Sequence, residues 1–169
     1  MIDRRPFLIE IIECLADHGV EFIICGGMAA VYHGVERMTM DLDISLDMEK
    51  SNVERFLEAV KALNLTPRAP VPPESLLDPK AVDFFIREKH ALVFTFWHTD
   101  SPYKQLDVFL PEDKSYHILK DYTVEVSVNN RIIKIISIEK LLEMKLAIDP
   151  LRDKDKFDIG ALKKIVGKG

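Results

Sequence analysis

FIICGGMAA at residues 22–30 and MDLDISLD at residues 40–47 are the two stretches that decide the fold. In the first, the apolar run from Phe22 to Cys25 stops at a pair of glycines, which is typical of a short buried strand. Met28 to His33 then has the composition of a short helix, so Gly26 and Gly27 lie at a strand-to-helix turn. Glycine leaves the backbone N–H groups of such a turn open to a phosphate, because no side chain stands in the way.

The second stretch alternates polar and apolar residues without a fault, which predicts a strand. Its polar face consists of Asp41, Asp43, Ser45 and Asp47. Two carboxylates at positions i and i+2 of a strand point the same way and lie close enough to hold a hard divalent cation. Without a cation they repel each other, which raises their pKa values. The pattern alone is also typical of a solvated strand, so other residues have to decide between the two interpretations.

The remaining patterns alternate between helices and strands. Apolar residues at helical spacing predict helices over Pro6 to His18, Ser51 to Asn64, Ala81 to Lys89, Ile138 to Ile148 and Arg152 to Val166. Runs of β-formers predict strands over Leu92 to Trp97, Gln105 to Leu110, Thr123 to Val128 and Ile132 to Ile136. Ser51 with Glu54 is expected to form a capping box, and the proline-rich segment from Thr66 to Pro79 a loop with little regular structure. We therefore predict one α+β domain over residues 1–169, with a mixed sheet flanked by helices.

Composition excludes several classes of protein. With 169 residues, 47% hydrophobic and 30% charged, the chain has the balance of an ordered globular domain. The net charge of −5 argues against a dedicated binder of the phosphate backbone of nucleic acids. No stretch approaches the ~20 apolar residues of a membrane span and no signal peptide is apparent, so we expect a cytoplasmic protein without a membrane partner. Cys14 and Cys25 both fall in apolar patterns, which indicates buried thiols rather than a disulfide framework or a zinc site.

The glycine turn and the aspartate strand together resemble the signature of the nucleotidyltransferase-fold superfamily, which is related to DNA polymerase beta. Besides Gly26 and Gly27, the match includes Arg37, Thr39 and residues 41–44. The resemblance implies the nucleotidyltransferase fold and places the two glycines against the triphosphate of a nucleotide. Arg37 and Thr39 are expected to take part in nucleotide binding, although a structural pairing of Arg37 with Asp41 is an equally open interpretation.

The same resemblance implies two Mg²⁺ ions, with Mn²⁺ as an alternative. In the superfamily two aspartates of the strand hold the ions, and a third carboxylate arrives from a later strand with apolar flanks. Asp41 and Asp43 match the first two positions, and Asp107, between Leu106 and Val108, matches the third. These three aspartates are therefore the expected metal ligands and catalytic residues.

The C-terminal part, ISIEKLLEMKLA at residues 136–147 followed by Arg152, Lys154, Asp155 and Asp158, resembles the tail of AbiEii-type toxins and related small nucleotidyltransferases. In these families a helix lysine and a cluster of Arg, Lys-Asp and Asp complete the site, which makes Lys145 a catalytic and Asp155 a nucleotide-binding candidate. Lys145 stands on an apolar helical stripe, so it is predicted to reach either a phosphate or Asp155. A Lys145 that snorkels to solvent and an Asp155 that only favours its helix N-terminus are the alternatives.

These residues together predict an enzyme that transfers a nucleoside monophosphate from an NTP, ATP among the candidate donors, to a hydroxyl group by a two-metal mechanism. The competing hypothesis is a catalytically weak or silent module that binds nucleotide or a partner protein, such as one half of a toxin–antitoxin pair. The acceptor is left open between a small molecule, a tRNA and a protein. A wall for the acceptor is expected from the segment Thr66 to Pro79 with Trp97, His98 and Tyr103, although Trp97 fits a core equally well.

Overall fold

A computed structural model describes residues 6–168 of the chain. Within this range the chain forms seven α-helices, namely α1 (Phe7–Asp17), α2 (Gly26–Tyr32), α3 (Lys50–Ala62), α4 (Pro79–Arg87), α5 (Tyr116–Leu119), α6 (Ile138–Leu146) and α7 (Asp153–Gly167). The strands are β1 (Phe22–Cys25), β2 (Asp41–Leu46), β3 (Leu65–Pro67), β4 (Val93–His98), β5 (Ser101–Phe109), β6 (Thr123–Val128) and β7 (Arg131–Ile136). Two short 3₁₀ segments occupy Pro73–Leu77 and Glu112–Lys114. None of the described helices is long and apolar enough to cross a membrane.

The strands belong to one mixed sheet with the order β3-β4-β5-β2-β1-β7-β6. Two central pairs, β2 with β5 and β1 with β7, are parallel, and the other neighbouring pairs are antiparallel. The prediction of an α+β fold with a mixed sheet is therefore confirmed. The hairpin between β6 and β7 turns at Asn129 and Asn130, which both have a positive φ. Asparagine tolerates this left-handed backbone better than most other residues, as expected from the sequence.

Helices cover both faces of the sheet. On one face α1 and α3 contact each other, and Phe56 of α3 packs edge-on against Phe96 of β4 with ring centroids 5.4 Å apart. The other face carries the aspartates and is covered by α2, α6 and α7. Leu42 and Ile44 are fully buried, as the alternation along β2 predicts. The polar side of β2 therefore lies under the C-terminal helices, away from the main apolar layer.

Helix α2 begins at Gly26, two residues earlier than the sequence predicts, because the glycine pair belongs to its first turn. Gly26 has a φ of +60°, and a Cβ atom there would lie 2.1 Å from an oxygen of Asp43. A Cβ atom on Gly27 would lie 2.5 Å from the guanidinium of Arg37. A side chain at position 26 is therefore disfavoured by the left-handed backbone and by Asp43, and one at position 27 would displace the Arg37 guanidinium.

The predicted capping box at the start of α3 is wrong. The helix begins at Lys50, and Glu49 caps it by accepting a hydrogen bond from the backbone N–H of Ser51. Ser51 therefore lies inside the first turn and cannot cap it. A side chain that accepts hydrogen bonds from the first free N–H groups fixes the start of a helix. Because the Glu49 carboxylate reaches these groups, the helix starts at Lys50, one residue before the predicted start at Ser51.

The proline-rich segment is more regular than predicted. Residues Leu65–Pro67 pair with β4 at the edge of the sheet, and Pro73–Leu77 form a 3₁₀ turn whose Leu76 is buried. Proline is compatible with both positions, since an edge strand and a first helical turn have N–H groups without ladder partners. For the same reason β5 runs through Pro102 and begins at Ser101, four residues before the predicted start at Gln105.

Both cysteines of the chain are free thiols. Cys25 is fully buried at the end of β1, as predicted, whereas Cys14 on α1 is only partly buried. Burial raises the pKa of the Cys25 thiol well above its usual range. A buried, protonated thiol behaves as a small hydrophobic side chain.

Candidate active site

Three aspartates from two adjacent strands form the centre of the candidate site. Asp41 and Asp43 come from β2, and the parallel register of β2 and β5 sets Asp43 directly beside Asp107. One carboxylate oxygen from each residue lies within 4.8 Å of the others. We refer to Asp41, Asp43 and Asp107 as the carboxylate trio. The structure thus brings together the three residues that the sequence predicts as metal ligands.

The electrostatics of the trio fit a bound cation. Burial, reinforced by the charges of Asp41 and Asp107, raises the pKa of Asp43 to about 7. Burial also raises the pKa of Asp107, although Thr95 donates a 2.6 Å hydrogen bond to this carboxylate and acts in the opposite direction. A divalent cation would relieve this repulsion, and three carboxylates are the oxygen ligands that Mg²⁺ and Mn²⁺ prefer. The trio could therefore hold the divalent ions that the fold implies.

The glycine turn borders the trio on one side. Gly26 and Gly27 lie against Asp43 and Arg37 respectively, and the Thr39 hydroxyl donates a 3.3 Å hydrogen bond to the backbone carbonyl of Asp41. The sequence left open whether Arg37 pairs with Asp41 or contacts the nucleotide. In the structure Arg37 donates two hydrogen bonds, of 2.7 and 2.9 Å, to Asp158 instead. A pairing with Asp41 is therefore not observed, and the guanidinium stays at the edge of the site.

A chain of alternating charges connects α6 and α7 with the glycine turn. Lys145 of α6 lies 2.9 Å from Asp158 and 3.6 Å from Asp155 of α7, so the expected pairing with Asp155 is present. Asp155 accepts a further 2.6 Å hydrogen bond from Arg152, and Asp158 holds Arg37. We call these five residues the charge chain. Both aspartates are fully buried within it.

The pKa values of these two aspartates follow from their partners. Burial alone would raise the pKa of Asp155, but the hydrogen bond from Arg152 and the charge of Lys145 lower it below its usual value. For Asp158 burial acts in the same unfavourable direction, and the hydrogen bonds from Arg37 and Lys145 lower its pKa. Both carboxylates are thus held ionised by cations. Asp155 therefore has the structural role of orienting Lys145 and Arg152 at the cavity, whatever its part in nucleotide binding.

The carboxylate trio and four members of the charge chain, all except Asp158, line one cavity of about 350 Å³. Its polar lining comprises Gly26, Gly27, Arg37, Thr39, Asp41, Asp43, Asp107, Lys114, Lys145, Arg152, Lys154 and Asp155. Its apolar lining comprises Leu92, Val93, Phe109, Leu141, Met144 and Ile148. All nine site residues predicted from the sequence therefore line this cavity. A volume of this size is in the range of small-molecule binding sites.

The predicted acceptor wall does not belong to the lining of this cavity. Trp97 lies half-buried on β4, where it pairs with Gln105 of β5, two residues along from the Thr95–Asp107 pair. The guanidinium of Arg68 lies over its ring, 5.9 Å from the centroid. The surface beside the trio thus carries an aromatic side chain on the β4 side. Its role in acceptor binding stays a prediction.

Two cavity-related residues were not predicted from the sequence. Thr95 holds an oxygen of Asp107 across β4 and β5, and Lys114 reaches the cavity from the 3₁₀ segment Glu112–Lys114. The alternation of β4 places Thr95 and Trp97 on one face, which is a weak signal, but the register with β5 decides that Thr95 meets Asp107. No local pattern marks Lys114, because its position depends on the segment that follows β5.

Comparison with known proteins bears on the fold. Neither a family model nor a curated protein sequence matches the chain. The lincosamide antibiotic adenylyltransferase LnuA, solved with lincomycin bound, superposes with a TM-score of 0.60 at 18% identity, covering 94% of this chain and 96% of that one. The antibiotic-resistance factor ANT(2'')-Ia superposes with a TM-score of 0.59 at 14% identity, over 96% of this chain and 82% of that one. An antigenic nucleotidyltransferase-like protein from Paracoccidioides brasiliensis gives a TM-score of 0.52 at 14% identity, over 92% and 74%.

These similarities extend over nearly the whole described chain. The chain therefore has the nucleotidyltransferase fold, as the sequence signature predicts. They do not single out the AbiEii-type families among proteins of this fold, so that closer relationship stays a prediction.

Proposed function

We propose that the protein transfers a nucleoside monophosphate from an NTP to a hydroxyl group of an acceptor and releases pyrophosphate. The observation that carries this proposal is the carboxylate trio in one cavity with the glycine turn, within a nucleotidyltransferase fold. Fold similarity alone supports many chemistries, whereas three converging carboxylates beside a turn without side chains suit phosphoryl chemistry. The proposal therefore depends on the site rather than on the resemblance.

In the proposed reaction, the acceptor oxygen attacks the α-phosphorus and forms a new phosphorus–oxygen bond. The bond from the α-phosphorus to the oxygen that bridges it to the β-phosphate breaks, and pyrophosphate takes that electron pair. The proton of the hydroxyl passes to Asp107. This carboxylate suits the role of base, because burial raises its pKa and a hydrogen bond from Thr95 fixes the orientation of one of its oxygens.

The carboxylate trio, the glycine turn and two lysines have separate roles in the proposed reaction. Two divalent ions held by the trio would activate the attacking oxygen and neutralise charge on the leaving pyrophosphate. The backbone of Gly26 and Gly27 faces the β- and γ-phosphates, and Lys145 and Lys154 add positive charge from the helices above. Catalysis would then depend on positioning and on charge neutralisation.

The acceptor class follows less directly. LnuA is described as an antibiotic adenylyltransferase with lincomycin bound, and the present chain spans nearly all of its length. We propose a hydroxyl-bearing small molecule as the first acceptor class to test. The half-buried Trp97, with Arg68 above it, lies two residues along β4 from Thr95, the partner of Asp107, and is the candidate platform for a ring of the acceptor.

Label transfer from [α-³²P]NTPs tests the proposal. The purified protein is incubated with Mg²⁺, each of the four NTPs and three acceptor pools: aminoglycosides and lincosamides, total tRNA, and a protein extract. We expect label on one pool, and its loss in Asp43→Asn. The matched control is Asp47→Asn, two alternation steps further along the chain and outside the cavity lining, which should retain the activity of the wild type.

Retained transfer in Asp43→Asn would contradict the assignment of the trio. Binding of NTP without transfer to any pool would favour the competing hypothesis of a silent nucleotide-binding module. Addition of a copurifying protein that switches transfer on would point to a partner-dependent enzyme. The three results are distinguishable because NTP binding is measured separately from transfer, by thermal unfolding of the protein with each NTP.

A further inference from the structure

One end of the cavity lies beyond the carboxylate trio and consists of Leu92, Phe109 and Lys114, which we call the distal subsite. We propose that the distal subsite binds the nucleobase of the donor NTP and that Lys114 determines which base is preferred. This proposal rests on the proposed function, since it assumes that the trio holds the α-phosphate of an NTP.

The order of groups along the strands supports this placement. Phe109 follows Asp107 by two residues, so its side chain lies on the same face, about 7 Å further along β5. On β1 the pairing of Cys25 with Asp43 is antiparallel, so Gly26 and Gly27 leave the sheet toward Asp41. The trio therefore lies between the glycine turn and the distal subsite. A nucleotide with its triphosphate at the glycines and its α-phosphorus at the trio would extend its base toward Phe109.

The walls of the distal subsite suit a flat, apolar ring. Leu92, just before β4, and Phe109 of β5 line it on one side, and Met144 and Ile148 line the cavity from α6 and the residues after it. Leu92 is 65% exposed, which is unusual for a leucine that lines a cavity. A ring bound there would bury this side chain and gain apolar contact area. Phosphate groups would gain nothing from such walls.

Within residues 6–168 no acidic partner is found for Lys114, unlike most other cations of the cavity. Arg37, Lys145 and Arg152 are all engaged in ion pairs of the charge chain. Among residues 6–168 the interaction found for the Lys114 ammonium is with the ring of Phe109, at 5.2 Å from the centroid. An ammonium group donates hydrogen bonds and accepts none. It therefore favours a base that presents a carbonyl oxygen or an unprotonated ring nitrogen at this edge.

Ser45 fixes the segment that carries Lys114. It is fully buried, and its hydroxyl donates a 2.7 Å hydrogen bond to the Lys114 carbonyl. Ser45 lies on the strand of the trio, two residues after Asp43, so the distal subsite is held at a fixed distance from the trio. Ser45 is thus a positioning residue, which acts on the base through Lys114.

Calorimetric titration with the Mg²⁺ complexes of the four NTPs and of inorganic tripolyphosphate tests the proposal. The variant is Lys114→Met, which keeps the length of the side chain and removes the charge. We expect a roughly tenfold loss of affinity for the preferred NTP, about the value of one charge-assisted hydrogen bond, and a narrower spread among the four NTPs. Affinity for tripolyphosphate should not change. Lys61→Met, on the exposed end of α3 and outside the cavity lining, is the matched control. It should change neither the affinities for the four NTPs nor the affinity for tripolyphosphate.

Two further variants keep the test informative if Lys114→Met does not fold. Lys114→Arg retains the charge with a different donor geometry and should alter the order of the four affinities. Ser45→Ala should weaken binding of the preferred NTP and leave the affinity for tripolyphosphate unchanged. Thermal unfolding of each variant identifies a general loss of structure.

Equal losses for tripolyphosphate and NTPs in Lys114→Met would overturn the proposal, because Lys114 would then bind phosphate. Unchanged affinities and an unchanged order of preference would overturn it as well. A wild-type protein that binds tripolyphosphate and NTPs with no preference among bases supports the proposed function while contradicting the distal subsite. A wild type that binds none of them contradicts both.

Discussion

At the scale of single residues, the stability of the metal-free protein depends on the protonation of Asp43. A carboxyl group whose pKa is raised to about 7 in the folded state binds its proton more tightly than in the unfolded chain, where the value is ~3.9. The stability associated with this proton is therefore fully present below about pH 4 and is lost as the pH rises through about 7. The metal-free protein should be strained by its own site at neutral pH.

Asp43→Asn should remove this strain. In EDTA, we expect the variant and the wild type to unfold at similar urea concentrations at pH 5, and the variant to be more stable by about 2 kcal/mol at pH 8. Three pKa units would correspond to ~4 kcal/mol, and the partial exposure of the carboxyl reduces this figure. Saturating Mg²⁺ at pH 8 should reverse the order. A difference in stability that stays constant from pH 5 to pH 8 would contradict the raised pKa.

Gly26 gives a second test at this scale. Gly26→Ala places a methyl group at φ +60° and 2.1 Å from Asp43, so we expect the free energy of unfolding to fall by about 1–3 kcal/mol and the affinity for Mg²⁺ to decrease. The control is Gly160→Ala in α7, where a Cβ atom meets nothing within 4 Å. That change should be neutral or stabilising by up to ~1 kcal/mol, since alanine favours helix. Equal effects of the two substitutions on urea unfolding would contradict the close approach of Asp43 to the turn.

At the scale of elements, the charge chain links α6 and α7 to each other and to Arg37 through buried ion pairs. Arg37 and Asp158 are 121 residues apart in sequence, and Lys145 of α6 lies between the two aspartates of α7. Breaking a buried pair leaves an uncompensated charge, which costs more than the pair contributes. The loss of any member of the charge chain is therefore expected to disturb the position of α6 and α7 over the cavity.

Asp158→Asn tests this role of the chain. We expect a loss of about 3 kcal/mol in the free energy of unfolding at pH 7, because Arg37 and Lys145 lose their shared anion. Asp83→Asn is the control: Asp83 forms an exposed pair with Arg87 on α4, and its loss should cost less than ~0.5 kcal/mol. If Asp158→Asn lowers the free energy of unfolding as little as the control does, the charge chain does not hold α6 and α7 in place. Urea unfolding followed by circular dichroism measures both.

The sequence patterns predicted most elements, for reasons that are local. The fault-free alternation of residues 40–47 defines β2, and the asparagines at the β6–β7 turn define the hairpin. The start of α3 was missed because Glu49 and Ser51 are both able to cap a helix, and only the backbone path decides between them. The prolines of the segment Thr66 to Pro79 predict a loop, but edge strands and first helical turns accept proline, and the segment contains one of each.

At the scale of the whole molecule, the site was predicted only as far as local motifs reach. Asp41, Asp43 and the glycines are readable from their spacing, whereas Asp107 required a resemblance to known nucleotidyltransferases. Its pairing with Asp43 depends on a parallel register between strands that are separated by more than 50 residues. Lys114 arrives through a short 3₁₀ segment with no pattern of its own. Such positions follow from packing of distant elements, which local periodicity does not encode.

The central claim is that the carboxylate trio and the glycine turn form one metal-dependent nucleotide site. Thermal unfolding of the wild type, Asp43→Asn and Asp47→Asn with each of the four NTPs, with and without Mg²⁺, tests it most directly. An NTP at ~100 times its Kd adds about 2.7 kcal/mol, which corresponds to a rise in Tm of roughly 5–10 °C at this size. We expect such a rise in Tm for at least one NTP with Mg²⁺ in the wild type and in Asp47→Asn, and no rise in Asp43→Asn. No rise with any NTP, or an equal rise in Asp43→Asn, would contradict it.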